Sequence, residues 1–291
     1  MELHQLRYLV AVADHGSFTA AADELSVSQS GVSAQIAKLE RELGHRLFDR
    51  SGRRVTPTAA GEAVLVHARA AGRAVQAVRT TADELAGLVR GHVSVGTVIG
   101  CTIPGYLQGF AEFRRDHPDV SVSVEEDNSD RLIADVDRGR LDVAVVAHGQ
   151  QLPDRLTSWT LIREPLAVVV PAGHRWCDRN RVSLSELTEE TVLSLPAGTG
   201  VRTALDATAA AEQVFVTPAV AAHSPEAVLS LTELGSGVGL LSPSMAAGRS
   251  GLCAIPIARS RRLALSLVRR ADPSAAARVM TEVLARHLAG Q

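Results

Sequence analysis

Apolar positions in the first sixty residues recur at helical spacing. Leu3, Leu6, Val10 and Ala13 form one stripe and predict an amphipathic helix. His15-Gly16-Ser17 breaks it. Phe18, Ala21, Ala22 and Leu25 then mark a short second helix, with Ser17 or Thr19 available as its cap. Ser28 is placed to cap a third helix, whose buried stripe is Val32, Ile36, Leu39 and Leu43 and which Gly44 ends. Two short helices joined by a tight turn are the pattern of a helix-turn-helix. Ser30, Ala34 and Lys38 lie opposite the stripe, with Gln29 and Ser33 near the helix start. Such side chains suit a DNA groove, because Gln pairs with adenine edges, hydroxyls adapt and Ala meets a thymine methyl. The same periodicity fits a plain three-helix bundle with a solvated face equally well.

Thr58 can cap a long helix starting at Ala59, with Glu62 in its first turn. Along it Val64, Ala68, Ala71, Val75, Val78, Ala82, Leu85 and Val89 alternate spacings of four and three. That 3.5-residue seam is the mark of a coiled-coil contact. A rod of roughly 45 Å with an exposed apolar seam needs a partner, and an identical arm is the simplest one. The alternative is a helix lying along its own domain. Gly91 and His92 close the helix.

From Val93 the pattern changes to short strands alternating with helices. Strands are expected at 93–98, 120–125, 141–146, 166–170, 191–195, 215–219, 239–241 and 263–268. Helices fit 104–115, 131–138, 201–211, 225–234 and 275–288. Such alternation implies parallel α/β layers. The last strand and helix follow a long second block, so the chain is expected to return to its first subdomain to finish.

Composition narrows the field without naming a function. The 46% hydrophobic content is ordinary and the net charge of −2 excludes nothing, but Arg46, Arg50, Arg53 and Arg54 cluster with only Asp49 opposing them. Cys101, Cys177 and Cys253 are odd in number and scattered, which argues against a disulfide framework and against zinc. The start of the chain lacks an export signal, and no apolar run is long enough for a membrane span, so a cytoplasmic protein is expected. A nucleophile elbow, a zinc-protease motif and a phosphate loop are all missing, and Gly198-Thr199-Gly200 lacks the third glycine of a dinucleotide fingerprint. The expectation is therefore no catalytic residue, no cofactor and no metal. A small-molecule-binding α/β enzyme is the competing reading.

The wording of the sequence separates these readings. Leu6-Arg7-Tyr8-Leu9, Gly16-Ser17-Phe18-Thr19-Ala20-Ala21-Ala22, Leu25-Ser26-Val27-Ser28-Gln29-Ser30, Leu47-Phe48-Asp49-Arg50 and Thr58-x-x-Gly61 strongly resemble the LysR-type transcriptional regulators. Phe113-Arg114-x-x-His117-Pro118, Gly139-x-Leu141-Asp142-Val143-Ala144 and Glu164-Pro165-Leu166 extend a weaker match through the rest. The resemblance implies a winged helix-turn-helix over 1–58, a dimerising linker helix over 59–90 and an effector-binding domain over 91–291. That last domain would be two-lobed, α/β, Rossmann-like and similar to periplasmic binding proteins. Lobe I would take about 92–162 and 266–291, and lobe II about 163–265. The stretch 48–58 resembles the family's wing, so Arg50, Arg53 and Arg54 would meet phosphate or the minor groove. Together with Thr19, Ser28, Gln29, Ser30, Ser33, Ala34 and Lys38 they form the expected DNA-binding set. This chain departs from the family's common Gln-Pro-Ala at Gln29-Ser30-Gly31, and has Ala34 where many members carry Arg.

In open α/β folds ligands sit where strands end and helices begin. That selects Thr97, Gly100, Cys101 and Thr102 after the first strand and His148 after the third. In the second lobe it selects Thr199, Gly200, Val201, Arg202 and His223. A helix start with free N–H groups suits a small anionic or polar effector, although each of these residues also reads as a plain loop or cap. Lobes joined by strands near 161–164 and 264–268 can close by hinge motion. The expected partners are double-stranded promoter DNA, the effector and a second copy of the chain. Tetramers, contact with RNA polymerase and ligand-independent regulation stay open, and no membrane is expected.

Overall fold

The computed structural model describes residues 1–52, 54–85, 91–101 and 103–288, with backbone alone for 76, 79–85 and 104. Two compact units result, Met1–Leu88 with Arg138–Arg140, and Val89–Asp137 with Leu141–Gln291.

The first unit opens with α1 (Leu3–His15), α2 (Phe18–Leu25) and α3 (Gln29–Leu43), as the periodicity predicts. Ser17 Oγ accepts from the Ala20 N–H and Ser28 Oγ from the Gly31 N–H, so each serine satisfies a donor that the helix start leaves unpaired. Gly16 and Gly44 end α1 and α3 in the left-handed region that glycine enters without strain. Leu9, Val12, Ala21, Val32, Ile36 and Leu39 fill one shared core. Strands β1 (Phe48–Asp49) and β2 (Thr56–Pro57) pair antiparallel as the wing. Then α4 (Ala59–Leu85) begins, its first turn fixed by Thr58 Oγ1, which donates to the Arg46 carbonyl at 2.7 Å and accepts from the Gly61 N–H at 3.0 Å. A side chain at Gly61 would overlap the Leu47 carbonyl, which accounts for the glycine of that motif.

The second unit has two lobes, each built on a five-stranded sheet. Lobe I uses β3 (Gly91–Val98), α5 (Pro104–Asp116), β4 (Val120–Asp127), α6 (Ser129–Arg138), β5 (Val143–His148) and β6 (Leu156–Glu164). Lobe II follows with β7 (Ala167–Pro171), β8 (Val192–Ser194), α7 (Gly200–Glu212), β9 (Val220–Ala221), α8 (Pro225–Glu233), β10 (Val238–Leu241) and β11 (Leu252–Pro256). The chain then returns to lobe I with β12 (Leu263–Arg270) and α9 (Ala275–Leu288). Sheet orders are β4-β3-β5-β12-β6 and β11-β7-β10-β8-β9. Residues Val143–Ala147 are buried without alternation because β5 is covered on both faces, by α5 and α9 on one side and α6 on the other.

Three expectations need correction. The sheets are mixed rather than parallel, since β12 runs antiparallel to both β5 and β6, and β7 to both β10 and β11. Returning strands between lobes impose that reversal. No strand forms over the expected 215–219, where Phe215 is 94% exposed and Pro218 interrupts the run; the two-residue edge strand β9 follows just beyond it. The third correction concerns the cysteines. Cys177, in the turn after β7, and Cys253, on the adjacent strand β11, form a disulfide with Cα atoms 5.5 Å apart across 76 residues of sequence. Antiparallel pairing of distant strands creates that neighbourhood, and linear spacing does not reveal it.

Closing so long a loop restricts the unfolded chain and stabilises the fold by about 2–4 kcal/mol. Unreduced folded protein is therefore expected to titrate with one accessible thiol, Cys101. Cys177→Ser and Cys253→Ser are each expected to lower the denaturation midpoint without reductant and to match the parent in its presence. A titre of three thiols in unreduced protein contradicts the pairing.

Candidate functional site

On the first unit, most of the residues expected to touch DNA are exposed, on α2, on or beside α3, and in the wing. Ser28, Gln29, Ser30, Ala34 and Lys38 are exposed on or beside α3, Ser33 is half-buried there, and Thr19 is exposed on α2. Ser28 and Ser30 are partly engaged with each other, their hydroxyls 3.3 Å apart at the helix cap, whereas Gln29 projects from the first turn. Beside α3 the wing is braced by Glu40. One carboxylate oxygen accepts the Leu47 and Phe48 N–H groups, at 2.8 and 3.3 Å, and the other meets Arg50 at 3.3 Å. The Arg50 guanidinium also stacks 4.6 Å above the Phe18 ring. Arg50 therefore joins α2, α3 and the wing, with its remaining donors exposed. Arg54 lies across Gly16, and Val55 donates to the Gly16 carbonyl at 3.0 Å. The Ser51 N–H and hydroxyl hold the Asp49 carboxyl below its usual range, with Arg46 adding to the effect. Arg53 lies outside the described residues.

The arm seam divides by environment. Ala68 is buried and Val64 half-buried in the helix-turn-helix core, where Leu65 joins them. Farther along, Val75 and Val78 are 37% and 72% exposed, with Ala71 half-buried. Ala82 and Leu85 are described by backbone alone, and Val89 lies outside the described residues.

In the second unit a cleft of about 750 Å³ lies between the lobes. Gly100, Cys101, Thr199, Gly200, Val201 and His223 line it. Three other expected residues do not. Thr97 is buried within β3, and among the described residues its hydroxyl has no hydrogen-bond partner. The His148 ring is held between the Gln150 carbonyl at 2.7 Å and the Ser266 hydroxyl at 2.9 Å. Arg202 turns back along its helix to Asp206 at 2.9 Å. Thr102 lies outside the described residues.

The Thr199 hydroxyl is also occupied, donating to the Pro196 carbonyl at 2.8 Å and accepting from the Arg202 N–H at 3.3 Å. It shapes the α7 start first and the cleft second. Gly200 explains why the lobes come so close, because any side chain there would overlap the Ala147 carbonyl. A Cβ on Gly149 would lie 3.1 Å from that of Ala204, and the Asp130 N–H donates to the Gly198 carbonyl at 3.1 Å. These contacts close one side of the cleft backbone to backbone.

Sequence reasoning missed Asn128, Glu164, Ser242, Ser244 and Met245, which also line the cleft. Glu164 ends β6 where the chain leaves lobe I, and its carboxylate accepts the Ser244 hydroxyl and the Ser244 N–H, the latter at 3.1 Å. Its signal was the Glu164-Pro165-Leu166 run itself, in which proline ends a strand. Burial pushes the Tyr106 hydroxyl up to about 12, with smaller contributions from Cys101 and Glu126, and among the described residues the hydroxyl has no hydrogen-bond partner. Among the described residues no group of His, Cys, Asp and Glu could hold a metal ion, and no helix is long and apolar enough to cross a membrane.

These two surfaces agree with what the chain is similar to. Residues 3–62 match the model of the bacterial regulatory helix-turn-helix protein, lysR family, and residues 86–289 that of the LysR substrate binding domain. A hydrogen peroxide-inducible genes activator of Dickeya chrysanthemi is 32% identical over 267 residues, covering 88% of this chain and 85% of the relative. A RuBisCO operon transcriptional regulator of Allochromatium vinosum is 31% identical over 211 residues, or 71% and 68% of the two chains. The full-length structure of an OxyR variant from Pseudomonas aeruginosa superposes with a TM-score of 0.76 at 27% identity, over 99% of this chain and 94% of that one. With its helix-turn-helix and its two-lobed α/β domain, the chain belongs to the LysR family of DNA-binding transcription regulators.

Proposed function

We propose that two copies of the chain, joined through α4, grip promoter DNA with α3 and the wing, and that a small molecule in the interlobe cleft alters that grip. The exposed row Gln29, Ala34 and Lys38 on α3 carries the DNA half of this reading, since it leaves base-reading side chains without a partner surface in the single chain. Exposure of Val75 and Val78 supports the pairing of arms, because an apolar seam in water gains by meeting another. The cleft supports sensing, as its volume falls within the range of small-molecule sites. A ligand acts on DNA affinity only by binding two arrangements of the protein unequally. We read the chain as a regulator rather than an enzyme, in keeping with the names of its relatives. The direct test is footprinting of the full chain on the DNA upstream of its own gene.

If Gln29 and Ser33 read base edges, alanine at either is expected to cost about 1–3 kcal/mol on the operator and to change base preference. Arg54→Ala is expected instead to weaken binding to every sequence and to flatten its dependence on salt. Titrations on operator and random fragments at several salt concentrations separate the two, and equal losses for Gln29→Ala on both fragments would remove Gln29 from the reading set.

A charge in the arm seam should separate the copies. Val75→Asp and Val78→Asp are expected to yield monomers by light scattering, together with weaker binding to a site with two half-sites. Unchanged dimers in both variants would place the main interface elsewhere.

A further inference from the structure

The charge of the cleft wall carries information about what fills it. Three carboxylates line it, those of Asp127, Glu164 and Glu226, and among the described residues no arginine or lysine does. Two of the three are neutralised locally. Asp127 pairs with Arg131 at 3.1 Å, and Glu226 pairs with Arg249, which holds its carboxyl below the usual range.

Glu164 differs. Its two oxygens accept from Ser244 alone, one from the N–H at 3.1 Å and one from the hydroxyl, and no cation among the described residues pairs with it. A carboxylate offers about four acceptor sites, so about two stay open. Glu164 is half-buried, and its strand partner Leu263 lines the same cleft with Ile162, Leu265 and Met245. A carboxylate with open acceptor sites beside an apolar wall gains from an opposite charge brought by a ligand. Ser242 adds a buried polar group to the same wall. It is 1% exposed, lines the cleft, and its hydroxyl meets that of Ser244 at 3.4 Å.

The starts of α5, α6, α7 and α8 and the side chain of His223 line the cleft and would favour an anion, although α6 and α8 already carry Asp130 and Glu226 in their first turns. A helix end carries roughly half an elementary charge, whereas Glu164 carries a whole one. Moreover, the Thr199 hydroxyl already accepts the Arg202 N–H, and Gly200 is pressed against the Ala147 carbonyl. The sequence expectation was an anionic or polar effector, and the unpaired carboxylate of Glu164 weighs toward a ligand of the opposite charge.

We propose that the cleft selects an organic cation, a compact apolar molecule bearing a protonated amine or amidine. Its N–H groups meet the open acceptor sites of Glu164, and its apolar body lies against Ile162, Leu263, Leu265 and Met245. This proposal rests on the reading of the cleft as the effector site.

The test uses full-length protein and nine probes, phenyl, indolyl and cyclohexyl bodies each carried as the ethylamine, the propionamide and the propionate. Thermal midpoints and calorimetry are expected to show at least one amine binding tenfold or more tighter than its matched propionate. Glu164→Gln should erase that preference and Glu164→Asp should keep part of it, with Glu190→Gln, outside the cleft lining, as a control that leaves it unchanged. Ala197→Trp, which fills the exposed mouth of the cleft, should block binding altogether. Propionates that bind tighter than their amines overturn the ligand class while leaving the cleft as a binding site. The absence of a shift with all nine probes overturns the class as well. Amine binding that survives both Glu164→Gln and Ala197→Trp overturns the location. A footprint unchanged by saturating amine would instead count against the effector reading, because binding and DNA response are measured separately.

Discussion

Backbone meets backbone where the two lobes join, and the cleft exists in its observed form because of that contact. Gly200 on α7 lies against the Ala147 carbonyl at the end of β5, and Gly149 faces Ala204 one turn farther along the same helix. The Asp130 N–H on the Gly198 carbonyl adds a hydrogen bond between the lobes. The chain passes between lobes after β6 and again before β12, and these two crossovers hold the other side. A pocket held on two sides in this way keeps its wall residues in fixed relation, a condition for selecting by shape and charge. Side chains at 149 or 200 would wedge the lobes apart, moving Thr199 and Val201 away from Gly100 and Cys101.

Within that frame the wall is acidic and locally compensated, except at one carboxylate. The contrast among Asp127, Glu226 and Glu164 is a contrast of neighbours rather than of residue type. Arg131, four residues on at the start of α6, meets the first, Arg249 reaches the second, and only a serine attends the third among the described residues. A family fold does not transmit such a detail. The relatives named for peroxide-inducible genes and for a RuBisCO operon share the architecture, yet ligand chemistry resides in side chains that differ freely on a common scaffold.

Legibility in the sequence followed the range of the interactions. Helices α1 to α3 were readable because their cores, caps and stops are local, down to Ser17, Ser28 and Gly44. The arm was readable as a periodic seam, but not the point at which its environment changes. Val64 and Ala68 join the helix-turn-helix core, while Val75 and Val78 face outward, and that division depends on where α1 crosses α4. Most strands of the second unit were found, whereas β11 was missed and β6 was anticipated only at its end near 161–164, because each is defined by partners far away in sequence. The disulfide escaped for the same reason. In the cleft, glycines and caps at Gly100, Thr199 and Gly200 were legible from turn chemistry. Glu164 was not, because its importance comes from the absence of a cation beside it. His148 and Arg202 sat at suitable chain positions, but their own hydrogen bonds turned them elsewhere.

The fastening of α4 to the wing through Thr58 and Gly61 bears on how an operator is chosen. The helix begins against the Leu47 and Arg46 carbonyls, and Arg69 ties its third turn to Asp14 at the end of α1. An arm fixed at its root has no slack, so where two arms are joined the protein acts as a ruler between its two reading helices. DNA whose half-sites are out of phase with that ruler must twist or bend to match. The cost depends on the stiffness of the intervening steps. On the proposed reading of paired arms, spacer base pairs that no side chain touches take part in deciding which promoters are bound.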